Sequence, residues 1–493
     1  MINMYQEWNL KRQKINKERN GKIMKIVYVG DNRHRGNFGC RATSTALSQI
    51  ISEENEIVGR IYGDYTNVDT GELFFLRWIP GWVYRKVAKF KYWDYLKKAL
   101  YMFNRLLRRG HYYFSSADFI SYNFDKSIEN LIKCIPANPH LKDFDLRQYD
   151  FDALVVNGEG SFIFATPPWR ECMIEAMLMY WAEKLGKKVY FLNGMLSDDP
   201  YSDKNQRTID LVNPIFSKAE VVSVREKYSY KYAEENFKNI NLKHYPDALF
   251  SWYDAVNDDF KVTNGKYVMG MQGATDESFY NFDFTKPYIC ISGSSAVGNA
   301  SKNKSEAVDI YTQLVQEVKS EFKEYNVFLV DVCEGDAFLN EVSQNTKTPI
   351  ISIDTPILAA AKILANAKVF ISGRYHPAIL SSLGGTPCVF MSSNSHKTKS
   401  VQELLEYDEI QEFAVLPNDE ERKKIIKLAR EKVEMGEELR TKIKNRCVEL
   451  SKQTLMQQPS ELQTAVFMAA MLPIFARRVE TDCKNQKFCD IFP

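Results

Sequence analysis

Arg374 and His376 stand two residues apart in the stretch "ISGRYHPAILSSLGGTPCVFMSSNSHKTKS" of residues 371–400. The apolar run at 367–371 reads as a buried strand, and Pro377 suits the first position of the helix that follows. A side chain just past a parallel strand faces the ligand crevice, where the next helix also presents free backbone N–H groups. Arg374 offers a planar fork that matches carboxylate or phosphate oxygens. His376 can transfer a proton near neutral pH. The plainer reading is an arginine paired with an acid and an imidazole capping a helix. Arg225 ends a second apolar run, "AEVVSVREKY", where the plainer reading is an ion pair with Glu226 or another local acid. Two arginines at strand ends in opposite halves of the chain would close on a small dianion.

Two more loops carry candidate chemistry. "GDNRHRGNFGCRA" sets Gly36, Asn37 and Gly39 before a helix, so a ligand can approach backbone amides there. A plain β–α turn fits equally. The loop has neither the G-x-G-x-x-G nor the P-loop spacing, so no nucleotide fingerprint is present. "NGEGSF" places Glu159 and Ser161 after a buried run. Glu159 is a candidate base for an acceptor hydroxyl; equally it fits a residue that only positions a sugar, or a salt-bridge partner of Arg33 or Arg35. Asp247, in "YPDALF", reads as structural. His34 can join the site from the glycine loop. His111, His140 and His244 read as peripheral; His396, beside Lys397, can touch an anion, and a solvated loop is the plainer reading for both His34 and His396.

The elements that must position these residues alternate between strand and helix. In the first half, "KIMKIVYVG", "ALVVNG", "KKVYFLNG" and "VVSVRE" read as buried strands, with helices from about residue 42 to 52 and over "CMIEAMLMYWAEKLG". In the second, "PYICISGS", "NVFLVDV", "KVFISG" and "PCVFM" alternate with helices at 305–325, over "PILAAAKILANA" and through residue 383. The order β-α-β-α-β-α-β marks a parallel doubly wound sheet. The fold class expected is therefore α/β, two Rossmann-like doubly wound domains facing a cleft, followed by C-terminal helices. The boundaries read as an N-terminal extension at 1–22, a first domain at 23–265, a second at 285–418 and a helical segment at 419–493. The linker falls in "MGMQGATDESFYNFDFT". A chain of 493 residues is too long for one ordinary core, which agrees with two domains.

Composition narrows the class. Hydrophobic residues are 45% and charged residues 26%, a soluble globular balance. A net charge of +2 gives no reason to expect a nucleic-acid partner. The nine cysteines form no C-x-x-C pair and no cysteine–histidine cluster with zinc spacing, so reduced thiols and no metal are expected. The charged N-terminus lacks the apolar core of a signal peptide, and no apolar stretch is long enough to span a bilayer. A cytoplasmic protein is expected.

Taken in order, "NFGCRAT", "VVNGEGSF", "SVRE", "YPDALF" and "ISGRYHPAILSSLGGTPCVF" with a lysine downstream resemble the polysaccharide pyruvyl transferase family. The resemblance runs from about residue 25 to 397. It implies a fold like that of the GT-B glycosyltransferases. It also implies transfer of a pyruvyl group from phosphoenolpyruvate to two hydroxyls of a sugar, forming a cyclic ketal without metal or other cofactor. It implies that Arg225, Arg374, His376 and Lys397 bind the donor, with Tyr375 between them. The family's glycine-rich triplet is "GEG" here, with an acid at its centre. His376 is then the expected proton donor to the methylene carbon, and Glu159 the expected second catalytic group. Gly36, Asn37, Gly39 and Ser161 are expected at the acceptor or in the loop beside it.

Residues 74–114 are of another kind. Ten Lys or Arg and one acid, Asp94, lie between Arg77 and Arg109, interleaved with Trp and Tyr. The pattern fits helices lying on an anionic membrane surface, where a lipid-linked sugar acceptor would be presented at the inner face. A groove for a polyanionic glycan, or a packed lid with solvated cations, fits the same residues. The alternative function is a GT-B glycosyltransferase using a nucleotide sugar. Retaining enzymes of that kind carry two glutamates before the Gly-Thr-Pro, and those positions here hold Ser372 and Leu380.

Overall fold

A computed structural model describes residues 23–63, 92, 95, 119–135, 139–200, 202–258 and 286–459. The expected N-terminal extension, nearly all of the basic insertion, the linker and the end of the C-terminal segment lie outside the described residues. Two parallel sheets organise the chain. The first contains β1 (Lys25–Asp31), β2 (Glu56–Tyr62), β3 (Ala153–Asn157), β5 (Lys188–Gly194), β7 (Val221–Val224) and β8 (Leu242–His244), in the order β2-β1-β3-β5-β7-β8. The small strands β4 (Phe162–Ile163) and β6 (Leu196–Ser197) pair separately. The second sheet contains β9 (Tyr288–Ser294), β10 (Asn326–Val330), β11 (Ile350–Ile351), β12 (Phe370–Gly373) and β13 (Cys388–Phe390), in the order β11-β10-β9-β12-β13. Every pairing in both sheets is parallel. This is the two-domain α/β, GT-B-like architecture.

The strands form where apolar runs are continuous because helices cover both faces of each sheet. Ile26, Val27, Tyr28 and Val29 of β1 are fully buried, as are Leu154, Val155 and Val156 of β3. Each such side chain contributes about 1.5–3 kcal/mol by leaving water. The helix Phe38–Ser52 begins four residues earlier than its apolar pattern suggests, because the Asn37 side chain accepts from the Cys40 N–H and caps it. The helix Tyr375–Leu383 starts at Tyr375, so Pro377 is its third residue rather than its first. Both helices belong to one apolar cluster that joins the inner faces of the two sheets.

The two sheets place their chain-order reversals beside each other's ligand loops. In the first sheet the order reverses between β1 and β3; in the second, between β9 and β12. The glycine loop follows β1, "GEG" follows β3, and Arg374 follows β12. Such reversal points at the carboxyl ends of parallel strands open the crevice in which ligands bind. After the second sheet, the helices Asp419–Glu434 and Gly436–Thr454 follow. The latter returns to the first half, where Thr454 and Gln457 donate to the Pro246 carbonyl.

Candidate functional site

The site grows from four loops. The glycine loop is closed against the opposite domain: Phe38 N–H donates to the Val332 carbonyl at 3.0 Å, and Asn37 bridges Cys333. One amide of this loop, that of Phe38, is therefore engaged by backbone rather than free for a ligand. Gly36 rests near Glu334 of the second half. Gly39 has a different duty: a Cβ there would lie 2.8 Å from the Cβ of His376. Only a glycine admits the imidazole at that distance.

Asp247 is the hub that the sequence reading assigned to structure alone. It is fully buried, follows β8, and takes four contacts. Its Oδ1 accepts from the Thr43 hydroxyl at 2.7 Å and the Leu249 N–H at 2.9 Å. Its Oδ2 accepts from Arg225 Nη1 at 2.8 Å and lies 3.4 Å from His376 Nε2. Burial pushes this carboxyl up, but the imidazole and guanidinium outweigh it and hold the group well below the usual carboxylate range. Arg225 does not pair with its neighbour Glu226; that acid instead meets His396 Nε2 at 2.9 Å. His396, expected in a solvated loop, is thus an ion-pair partner, and its ring also stacks on Tyr228. Consecutive residues of "SVRE" each hold an imidazole from the other half.

His376 is 8% exposed and polar on its buried side. Arg225 Nη1 lies 3.1 Å from its Nε2. A neutral ring can accept from that guanidinium; a protonated ring can donate toward Asp247. Both protonation states have a partner, which suits a group that gives and regains a proton. Tyr375 reaches the site through Arg225, whose guanidinium sits 4.7 Å above its ring centre. Arg225 Nε has no hydrogen-bond partner although it is buried. Arg374 makes a two-bond pair with Asp336, Nε to Oδ2 at 3.1 Å and Nη2 to Oδ1 at 2.5 Å. The plainer expectation of an acid partner is met for both arginines, with Nη1 of Arg374 outside that pair.

Lys397 completes the cationic group. A Cβ on Gly160 would be 3.5 Å from its Nζ, so the bare glycine lets the ammonium approach the "GEG" loop. Burial lowers its affinity for a proton, repulsion by Arg225 and Arg374 adds to that, and attraction to Glu159 only partly offsets it; together they bring its pKa down to about 8. Glu159 is buried, accepts from Asn32 Nδ2 at 2.5 Å, and has a backbone φ of 25°, the left-handed region that favours glycine. Burial pushes its carboxyl up, but His376, Arg225, Cys40 and Arg35 hold it below its ordinary value. It pairs with neither Arg33, which binds Asp31, nor Arg35, which binds Glu171. His34 turns aside and packs on Tyr62.

Ser161, expected at an acceptor, turns inward. Its Oγ lies 2.6 Å from Glu175 and 2.9 Å from the Gly158 carbonyl. The Ser161 hydroxyl donates to Glu175 or to the Gly158 carbonyl, and burial raises the Glu175 carboxyl well above its usual range. Two surface clefts, one beside Tyr407 and Leu439 and one beside Tyr122 and Pro214, lie away from this cluster. No described helix is long and apolar enough to cross a membrane.

The sequence model of polysaccharide pyruvyl transferases matches residues 37–395. The chain belongs to that family. It is therefore a member of a family of transferases of polysaccharide biosynthesis, and the match takes in Asn37 and Gly39 at the end of the glycine loop, "GEG", Arg225, Asp247, Arg374 and His376. No curated protein matches the chain significantly. Among solved structures, a UDP-GlcNAc 2-epimerase from Neisseria meningitidis is 10% identical over 88% of this chain and 100% of its own, with a TM-score of 0.46. A putative UDP-N-acetylglucosamine 2-epimerase from Listeria monocytogenes is 8% identical over 96% and 100%, with a TM-score of 0.44. A spinosyn rhamnosyltransferase is 10% identical over 92% and 100%, with a TM-score of 0.39.

Proposed function

We propose that this chain moves a pyruvyl group from phosphoenolpyruvate to two hydroxyls of one sugar, in a cell-surface polysaccharide or its lipid-linked precursor, forming a cyclic ketal. The observation that carries this reading is the contact of Arg225 with His376 across the two halves, Nη1 to Nε2 at 3.1 Å, beside a Lys397 ammonium whose pKa burial, Arg225 and Arg374 bring down to about 8. A buried lysine beside two arginines, each already paired with an acid, still favours a compact ligand with anionic groups. Phosphoenolpyruvate carries a carboxylate and a phosphate on three carbons.

In the proposed reaction, protonated His376 gives its proton to the methylene carbon, and C2 becomes an oxocarbenium centre. A sugar hydroxyl adds to C2 and loses its proton to Glu159. Phosphate then leaves with the electrons of its C–O bond. A neighbouring hydroxyl adds to the second oxocarbenium centre and gives its proton to the now neutral His376 ring, closing the ketal, and Glu159 passes its proton to the departing phosphate or solvent. Asp247 orients both His376 and Arg225 and stabilises the charged ring. The cations stabilise the departing phosphate; removing one such contact costs about 3–4 kcal/mol of transition-state stabilisation. The basic insertion at 74–114 is the segment proposed to bring the enzyme to lipid-linked acceptor.

A thermal-shift screen of phosphoenolpyruvate against nucleotide sugars tests the donor. Stabilisation by phosphoenolpyruvate supports the reading. Stabilisation by a nucleotide sugar alone would replace it with a glycosyltransferase.

A further inference from the structure

Cys40, Glu159 and His376 are too far apart in sequence to show any zinc spacing. The fold brings a ligand atom of each within 4.8 Å of the others. A thiolate, a carboxylate and an imidazole form a borderline-soft donor set of the kind that holds Zn²⁺. A tetrahedral ion with ligands at about 2.0–2.3 Å draws its donor atoms to roughly 3.5 Å of one another, so closing the group needs side-chain movement of about 1 Å. His376 is already backed by a carboxylate, Asp247 Oδ2 at 3.4 Å from its Nε2. That outer partner is what a metal-binding imidazole ordinarily has on its other nitrogen. The Cys40 thiol hydrogen bonds to Glu159, and its proton would leave on metal binding, so thiolate and carboxylate together offset the charge of a divalent ion, which still binds against the nearby Arg225 and Lys397 and is favoured when Lys397 is deprotonated.

Glu159 is the acid inside the glycine-rich triplet. A side chain at its φ of 25° costs about 1–3 kcal/mol of backbone strain, so the carboxylate is held there against a local penalty. We propose that Cys40, Glu159 and His376 form an inhibitory site for a thiophilic divalent cation, Zn²⁺, that captures the imidazole and carboxylate of the reaction centre. Ion binding does not depend on the donor assignment. Exclusion of phosphoenolpyruvate does, because it rests on the proposed function.

The test is Zn²⁺ titration of the full chain in competition with a chromophoric chelator, for wild type, Cys40→Ala and Glu159→Gly. The tail cysteines, Cys483 and Cys489, are common to all three proteins and serve as background. Wild type should bind one Zn²⁺ that Cys40→Ala lacks, and Glu159→Gly should bind it at least tenfold more weakly. Glu159→Gly suits the left-handed backbone, so thermal unfolding should show it folded. Co²⁺ should give a sulfur-to-cobalt charge-transfer band in wild type that Cys40→Ala loses. Equal Zn²⁺ stoichiometry and affinity in wild type and Cys40→Ala, or an unchanged Co²⁺ band, would overturn the site. Cys40-dependent Zn²⁺ binding that phosphoenolpyruvate leaves unchanged would overturn the exclusion and keep the ion site.

Discussion

Replacing Lys397 by arginine should flatten the pH dependence of phosphoenolpyruvate binding. The lysine ammonium has a pKa of about 8 without ligand, set by burial and by Arg225 and Arg374. The anionic ligand binds its charged form, so the apparent Kd rises as the ammonium deprotonates. For a group of pKa about 8, moving from pH 7 to pH 9 weakens binding about tenfold, or roughly 1.4 kcal/mol. The second ionisation of a phosphate monoester lies near pH 6, so the ligand charge is constant over this window. The Cys40 thiol is held well above its ordinary value by burial and Glu159, so it stays protonated there. Arginine remains charged throughout. Titration calorimetry at pH 7, 8 and 9 reads the slope. At pH 9, buffers of different ionisation enthalpy should report uptake of about 0.9 proton per wild-type binding event. Lys397→Arg should show neither slope nor uptake. A flat wild-type profile, or the same slope in Lys397→Arg, would refute the placement of this ammonium at the donor.

Four further outcomes follow from the structure. Arg225→Lys keeps a charge but loses the fork, and donor affinity should fall at least tenfold by calorimetry. Arg225→Ala also takes the guanidinium partner from the fully buried Asp247 and should destabilise the fold by about 3–5 kcal/mol, seen in denaturant unfolding. His376→Asn should keep phosphoenolpyruvate affinity within a few-fold and abolish release of phosphate in the presence of acceptor; full turnover would remove its role as acid. Glu175 is held protonated in the fold, whereas the unfolded chain releases that proton above about pH 4.3. Wild-type stability from this group therefore declines as pH rises from there, and Glu175→Gln should gain stability relative to wild type between pH 5 and 8. A Glu175→Gln variant less stable than wild type at pH 8 would mean the carboxylate is ionised.

Much of the scaffold was legible because its central strands are uninterrupted apolar runs, as in β1, β3, β9 and β12. The strands that escaped detection lie at sheet edges or are very short. β2 carries Gly59 and Arg60, β8 is a half-exposed Leu-Lys-His, and β11 has two residues. Missing β8 hid the meaning of Asp247, which follows that strand and so arrives beside Arg225 at the end of β7. Arg225, Arg374 and His376 were legible because charged groups at the ends of apolar runs have few places to go except the crevice. Their acid partners were not legible, since Asp247 is 129 residues before His376 and Asp336 is 38 before Arg374. The inward turn of Ser161 depends on Glu175, one helix further along, and no local pattern announces it. Cys40 looked like any isolated thiol until Glu159 and His376 were brought to it by the two sheets.

A structure of this chain crystallised with phosphoenolpyruvate tests the central claim most directly. The ligand should lie between the two halves, its carboxylate and phosphate within hydrogen-bond distance of Arg225, Arg374 and Lys397, and its methylene carbon facing His376. Phosphoenolpyruvate bound elsewhere, or absent at saturating concentration while these side chains keep their present partners, would contradict the account.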